Sequence, residues 1–309
     1  MLTIGWAPRG QDSPGTDGNR SDTLFTIGAD GTGERALVRG REPAVSRAGS
    51  LLAFSFEGSL YTMDMRTGRW SNLGPSKLPQ WSHGGEHSSD SRLVVQSGDG
   101  WWARGVGGRA PLWMGNGYGS PQWFPHEDAV LFSESHSGEY RMLRVPTDGT
   151  ALAEPFYSGV RVVPQTRYAF SPTGRYLLVT DCGDGSNCIL VLSVDDGTQI
   201  PIGERGRMGG VGPAWSPDET RIAYHVYDGM GGLWISALDG VPQLLVPGAP
   251  EDAPLWPAWS PDGSQLAVEM RNWLRDEPSR VCVVTLPSGD VRCIAEGQQP
   301  IWVSALPPR

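Results

Sequence analysis

Residues 257–268 read Pro-Ala-Trp-Ser-Pro-Asp-Gly-Ser-Gln-Leu-Ala-Val, and residues 213–224 read Pro-Ala-Trp-Ser-Pro-Asp-Glu-Thr-Arg-Ile-Ala-Tyr. Each stretch predicts a short strand that ends in Trp-Ser, a turn at Pro-Asp, and a second strand with alternating apolar residues. A unit that recurs along a chain indicates architecture more directly than any single motif does. The repeat therefore sets the expected fold class.

Degenerate copies of the repeat are marked by an aromatic or apolar anchor residue that ends the first strand of each unit. The anchors lie about 36–47 residues apart, a period typical of a β-propeller with four short strands per unit. Glycine turns, which are favoured where φ must be positive, give a second signal. The seven anchors are Val45, Trp81, Trp123, Phe170, Trp215, Trp259 and Trp302. The seven turns contain Gly31, Gly68, Gly108, Gly149, Gly197, Gly240 and Gly289.

The two signals are offset, because the first turn precedes the first anchor and the last anchor follows the last turn. If the C-terminal strand pairs beside the N-terminal strands, one blade is completed and the ring closes without open sheet edges. We therefore predict an all-β fold, a seven-bladed propeller of four-stranded antiparallel blades. One domain would cover residues 1–309, with a first blade built from about residues 1–40 plus 298–309. Six blades is the alternative.

The Trp-Ser-Pro-Asp-Gly stretch at residues 259–263, followed by Leu-Ala-Val, resembles the TolB-like, WD-related β-propeller repeat. Only the units at Trp215 and Trp259 match it closely, although the repeat extends over nearly the whole chain. The resemblance implies the fold. It also places the chain beside periplasmic scaffold proteins and propellers that gate peptidases. The repeat itself carries no catalytic residues.

Composition excludes several classes of protein. The chain has 309 residues, 39% of them hydrophobic, and 13 tryptophans, which is ample material for a core. A net charge of −9 argues against a nucleic-acid-binding surface. No apolar run approaches the ~18 residues of a membrane span. We expect a monomer, and an extracytoplasmic protein whose signal was removed is favoured over a cytoplasmic one.

The four cysteines form two local pairs, Cys182 with Cys188 and Cys282 with Cys293. Each pair could face across a hairpin and form a disulfide, which would indicate an oxidising compartment. Buried free thiols are the alternative, because cysteine packs well in β cores.

Two groups of repeat residues are interpreted as structural. Asp218 and Asp262 lie in Ser-Pro-Asp turns, where a carboxylate accepts hydrogen bonds from nearby backbone N–H groups. The anchor tryptophans are expected to pack between neighbouring blades. The same residues recur in units that cannot all hold a site, so neither group is taken as functional.

Functional residues are expected on loops that exceed what the repeat needs. Three such loops, residues 203–212, 247–256 and 271–280, would share one face on adjacent blades and could surround the mouth of the channel. They offer aromatic and arginine side chains beside carboxylates, a mixture that suits a polar ligand or an extended peptide. A solvated rim is the alternative. The candidate ligand-binding residues are Arg205, Arg207, Tyr227, Asp252, Trp256, Trp273 and Arg275.

Other candidates rest on weaker patterns. The loop over residues 7–22 carries oxygen ligands at Asp12, Asp17, Asn19 and Asp22 that could bind Ca²⁺, although their spacing is not that of an EF-hand. Apart from this ion, no cofactor is predicted. His225, Asp228 and Arg271 are the candidate catalytic residues, chosen by position alone.

A His-x-x-Glu-His stretch at residues 83–87 is set aside as a zinc site, because its glycines and the following serines break the helix that such a motif needs. No Gly-x-Ser-x-Gly nucleophile elbow occurs in the sequence.

Three functions remain open. The first is a non-enzymatic scaffold or binding module for a protein, peptide or glycan on the loop-rich face. The second is an enzyme, such as a lyase, hydrolase or isomerase, with polar groups in the central channel. The third is the sensor domain of a larger membrane-anchored protein.

Overall fold

The computed structural model describes residues 2–8, 22–46, 49–81, 92–98, 100–105, 111–115, 118–136, 139–147, 152–157, 168–180, 189–202, 210–226, 231–238 and 241–303. These residues are almost entirely strands and turns. Among them, no helix has the length and apolar character needed to cross a membrane.

Twenty-eight strands follow one another along the described chain. The first three are β1 (Leu2–Pro8), β2 (Asp22–Gly28) and β3 (Arg35–Arg39). Blade I contains β4 (Arg41–Val45), β5 (Leu51–Phe56), β6 (Ser59–Asp64) and β7 (Trp70–Pro75). Blade II contains β8 (Lys77–Trp81), β9 (Arg92–Ser97), β10 (Gly100–Gly105) and β11 (Leu112–Gly115). Blade III contains β12 (Tyr118–Trp123), β13 (Ala129–His136), β14 (Glu139–Pro146) and β15 (Glu154–Tyr157).

The remaining strands continue the same order. Blade IV contains β16 (Tyr168–Phe170), β17 (Tyr176–Thr180), β18 (Ile189–Ser193) and β19 (Gln199–Ile202). Blade V contains β20 (Gly210–Trp215), β21 (Arg221–Val226), β22 (Gly232–Ala237) and β23 (Gln243–Pro247). Blade VI contains β24 (Ala253–Trp259), β25 (Gln265–Arg271), β26 (Arg280–Thr285) and β27 (Asp290–Glu296). The last strand is β28 (Gln298–Val303).

Blades I to VI are antiparallel sheets of four consecutive strands, and the first strand of each blade pairs with the second strand only. The other four strands form a composite sheet in the order β28-β1-β2-β3, in which Leu2 is opposite Val303. The number of continuous blades is six, which was the alternative in the sequence analysis, and on this count the prediction of seven blades is not confirmed. The sequence suggested seven because both termini carry repeat signals, and those signals belong to the composite sheet.

The core lies between neighbouring sheets. Leu24 of the composite sheet packs in one cluster with Leu52 of blade I, and Phe25 packs with Val281 of blade VI. The composite sheet therefore lies between the first and last continuous blades, and the ring is closed by packing as well as by the pairing of β28 with β1.

The anchor tryptophans connect each sheet to the one before it. The Nε1 of Trp259 donates a hydrogen bond to the carbonyl oxygen of Ala214, the residue before the anchor of blade V, at 3.0 Å. Trp81, Trp123, Trp215 and Trp302 make the same bond to the preceding inner strand, at 2.8–3.1 Å between Nε1 and oxygen. A buried indole needs an acceptor for its N–H. The repeat of these bonds explains the sequence period and confirms that the anchors are structural.

The two Ser-Pro-Asp turns are also structural. Asp262 Oδ1 accepts bonds from the Ser260 hydroxyl (2.6 Å between oxygens) and from the backbone N of Ser264 (3.1 Å), while Ser260 Oγ accepts from the backbone N of Gln265 (2.9 Å). Asp218 makes the equivalent bonds in blade V. Bonds to the ionised form, that of the serine hydroxyl first, lower the pKa of each carboxyl to about 2. These aspartates cap turns and are not catalytic acids.

A pH dependence follows from these two carboxyls. Their pKa in the folded protein lies below the usual value of an aspartic acid, so their contribution to stability is present above that usual value and is lost as the pH falls toward 2. We expect the Asp218→Asn, Asp262→Asn double variant to be less stable than the unmodified protein in urea unfolding at about pH 6, with the difference shrinking at about pH 3. Asp276→Asn, in an exposed loop, is the control and should show little difference at either pH. A difference that stays constant with pH would contradict this account.

Candidate functional site

Two of the three loops expected to converge do meet, at one end of blade VI. The backbone N of Trp273 donates to the carbonyl oxygen of Pro250 at 2.7 Å, and Arg280 forms an ion pair with Asp252. The loop between β23 and β24 is thereby held against the loop between β25 and β26. In the third loop, the structure describes only residues 210–212 of 203–212.

The loop over residues 272–279, called here the Trp273 loop, is fixed by its own hydrogen bonds. Asn272 Oδ1 accepts from the backbone N atoms of Leu274 (2.9 Å) and Arg275 (3.2 Å), and its Nδ2 donates to a carboxylate oxygen of Glu277 (3.1 Å). Trp273 is 50% exposed and Leu274 is 64% exposed. The loop therefore holds an aromatic and an aliphatic side chain in solvent on an ordered backbone.

A buried carboxylate lies beneath this loop. Glu269 is 1% exposed. Its Oε1 accepts from Ser279 Oγ at 2.9 Å and pairs with Arg271 Nη2 at 2.8 Å, and its Oε2 accepts from the backbone N of Gln299 at 3.2 Å. Burial of a charge is tolerable when it is paired and hydrogen-bonded in this way. The network joins blade VI to the composite sheet.

Arg271 connects the buried network to the surface. Its guanidinium carbon lies 5.0 Å from the centroid of the Trp273 ring, within range of a cation–π contact. Arg271 was predicted as a catalytic residue on position alone. In the structure it neutralises Glu269 and packs on Trp273.

His225, the second catalytic candidate, is 1% exposed on β21. Its ring centroid lies 5.5 Å from that of Trp256, edge to face. A Cβ built on Gly212 would lie 2.7 Å from a ring carbon of Trp256, so the indole rests directly on the glycine backbone. Trp256, Gly212 and His225 thus form one contact between blades V and VI, and no residue larger than glycine fits at position 212 without displacing the indole.

Several predicted site residues lie outside the described residues. They are Asp12, Asp17, Asn19, Cys182, Cys188, Arg205, Arg207, Tyr227 and Asp228. Asp22 is the first residue of β2, and the calcium site stays a prediction. Within the described ranges, no cluster of three or more His, Cys, Asp or Glu residues could hold a metal ion. The 83–87 motif also lies outside them.

Cys282 and Cys293 are opposite each other on β26 and β27 and form a disulfide. This pair was one of the two that the sequence analysis proposed. The alternative of buried free thiols does not hold for it.

The sequence analysis did not single out Glu269, Ser279 or Leu274. A signal for Glu269 was present, because it is a charged residue inside the apolar run Leu-Ala-Val-Glu-Met at residues 266–270. A charge in a strand that is otherwise buried indicates a paired or functional group. Its full set of partners could not be read from the sequence, because they come from the end of the same strand, from the following loop and from the C-terminal strand.

No protein-family model and no curated protein matches the sequence. Solved structures do match. TolB from Acinetobacter baumannii superposes with a TM-score of 0.62 at 17% identity, covering 97% of this chain and 66% of that chain. The chain has the TolB-like, WD-related β-propeller fold.

Two other solved propellers resemble this chain to a similar degree. The β-propeller domain of the trilobed protease from Pyrococcus furiosus gives a TM-score of 0.67 at 12% identity, with 92% of each chain covered. The Cps50 (Swd1) propeller from Myceliophteria thermophila gives 0.59 at 14% identity, covering 88% of this chain and 90% of that one. At such identities the likeness concerns the fold alone.

Proposed function

We propose that this TolB-like propeller is a non-enzymatic binding module that recognises a protein partner through the Trp273 loop. The observation that carries the proposal is the pair of large apolar side chains, Trp273 and Leu274, held in solvent by a hydrogen-bonded loop. Tryptophan and arginine are enriched among residues that dominate binding energy at protein interfaces. Here an arginine follows directly, at position 275.

The rigidity of the loop supports the same function. Ordering a flexible loop on binding costs free energy, and a loop already fixed by its own bonds avoids most of that cost. Asn272, the Trp273–Pro250 backbone bond and the Arg271 contact all restrain it before any partner arrives. The same two loops carry two ion pairs, Arg275 with Glu277 and Arg280 with Asp252, and charged residues of this kind form the rim of protein interfaces.

The catalytic candidates that the structure describes are engaged in structural contacts. Arg271 is paired with the buried Glu269, and His225 is covered by Trp256. This favours binding over chemistry at this face.

The test begins with capture of the partner. A photo-crosslinking amino acid at position 274 should capture a specific protein, and the same group at position 241, where Val241 is 85% exposed, should not. With the captured partner, Trp273→Ala is expected to weaken binding by about 30-fold, or about 2 kcal/mol, because an exposed aromatic anchor is lost.

Trp113→Ala is the matched control, since Trp113 is 54% exposed on an outer strand of blade II. It should leave the affinity unchanged. Equal losses in the two variants, or full affinity in Trp273→Ala, would rule out the Trp273 loop as the binding surface.

A further inference from the structure

A backbone feature recurs on the inner strands of the ring. In five of them, the residue three positions before the anchor has a positive φ and directly precedes a proline. These channel positions are Glu42 (φ 53°), Leu78 (φ 52°), Gly212 (φ 62°), Trp256 (φ 52°) and Gln299 (φ 48°). Each lies at a register shift between the inner strand and its partner.

Four of these five residues are not glycine, although glycine adopts a positive φ without cost. Among the described residues, six non-glycine residues have a positive φ, and four of the six are channel positions. Most of the turns use glycine at this conformation, as at Gly31, Gly68 and Gly289, and the other two non-glycine residues, Glu57 and Glu219, lie in turns. Non-glycine residues in such conformations cluster at functional sites, where the side chain is needed despite the cost.

The register shift explains how the positive φ changes the direction of the side chain. A β-bulge re-aims a side chain away from the regular alternation of a strand. Leu78 is 38% exposed and Gln299 is exposed, whereas the prolines that follow them, Pro79 and Pro300, are buried. Inner strands pair on one side only, so their second edge borders the central channel. Leu78 and Gln299 therefore present their side chains on the channel wall, whereas Trp256 packs between blades V and VI.

Glu42 is the charged member of this set. Its Oε2 accepts from Ser55 Oγ at 2.9 Å and from the backbone N of Leu78 at 3.1 Å. Both donors are neutral, and within the described residues Glu42 takes part in no ion pair. A partly buried carboxylate held by neutral donors favours a cation as its ligand. Leu78, bonded to it, adds an exposed aliphatic surface.

We propose that Glu42 and Leu78 form a site at the channel wall for an ammonium or guanidinium group on an aliphatic chain. Glu42 pairs with the cation, and Leu78 packs on the aliphatic stem. The source of the cation is a free amine or a lysine side chain of a peptide. The site does not depend on the Trp273 loop.

The test uses two probes, cadaverine and the acetylated, amidated tripeptide Gly-Lys-Gly, titrated against the whole protein by ligand-observed NMR. We expect one or both to bind, and Glu42→Gln to weaken binding about tenfold or more. Leu78→Gly should weaken binding several-fold. Because glycine adopts a positive φ without cost, this variant should fold and provides a second test if Glu42→Gln does not fold. Binding of cadaverine alone identifies a free amine as the source, and binding of the tripeptide alone identifies a peptide.

Glu57→Gln is the matched control, because Glu57 is an exposed glutamate with φ 47° in a hairpin turn. It removes the same charge and should leave binding unchanged. No binding of either probe at about 10 mM, or an equal loss in Glu57→Gln and Glu42→Gln, would overturn the proposal. Trp273→Ala should not affect either probe, so failure here is distinct from failure of the partner-binding function.

Discussion

Glu269→Ala is expected to lower the free energy of unfolding by about 2–4 kcal/mol, because removal of the buried carboxylate leaves its hydrogen-bond donors and the partly exposed Arg271 without their partner. Arg271 loses its only ion-pair partner recorded among the described residues. The Ser279 hydroxyl and the backbone N of Gln299 also lose their acceptor. Urea unfolding followed by tryptophan fluorescence measures the loss, and the large number of tryptophans gives a strong signal.

Glu269→Gln separates charge from hydrogen bonding. The amide keeps the size of the side chain and can still accept bonds, so we expect a loss between that of Glu269→Ala and zero. Glu251→Gln, in the exposed loop that precedes β24, should change stability by less than about 0.5 kcal/mol. If Glu269→Ala lowered the free energy of unfolding no more than Glu251→Gln does, the buried network would contribute nothing to the stability of the closed ring.

The position of Glu269 gives this variant a second effect. Glu269 orients Arg271, which packs on Trp273, and it bonds the strand that closes the ring. The binding loop and the closure of the ring therefore share one buried carboxylate. Under conditions in which the Glu269→Ala variant is still folded, we expect weaker partner binding as well, because Arg271 is no longer held against Trp273.

The repeat made much of the fold predictable. The glycine turns and the Ser-Pro-Asp turns depend on local bonds between residues a few positions apart, and such patterns are visible in a sequence. The anchors are visible because they recur at the period of one blade. The pairing of β28 with β1 could be inferred from the sequence, because the N-terminal strands lack an innermost strand and the C-terminal strand lacks outer strands. The prediction of seven blades is not confirmed, because only six blades consist of consecutive strands and the terminal repeat signals belong to the composite sheet.

The candidate site was predictable only in outline. The loops at 247–256 and 271–280 were identified because they exceed the repeat, and they do meet. The role of Arg271 was not foreseen, since its partner Glu269 is buried and lies two residues away on the same strand. The channel positions were not foreseen either. Their conformation arises from a bulge, and the Xaa-Pro dipeptide that marks it also occurs in ordinary extended strands.

The second large effect is expected at an anchor. Trp259→Ala should lower the free energy of unfolding by about 3–5 kcal/mol, since it removes a large buried side chain and leaves a cavity. Trp259 is buried and packs with Leu266 and Val284 of its own blade and with Ala223 of blade V. Its loss also leaves the carbonyl oxygen of Ala214 without the indole donor. Urea unfolding is again the measurement, and Trp259→Phe should lose less because most of the volume is kept.

Trp273→Ala is the control for the loss of a tryptophan as such, because Trp273 is half exposed and should cost far less stability. Equal losses at positions 259 and 273 would mean that the anchors do not hold the blades together.

The dependence of the free energy of unfolding on urea concentration gives a separate result, because its slope reports the surface exposed on unfolding. Each sheet packs on two neighbours and the composite sheet joins both ends of the chain. Trp259→Ala should therefore shift the midpoint and keep the slope, because a closed ring whose sheets support one another unfolds as one unit. A smaller slope would show that blades V and VI separate before the rest.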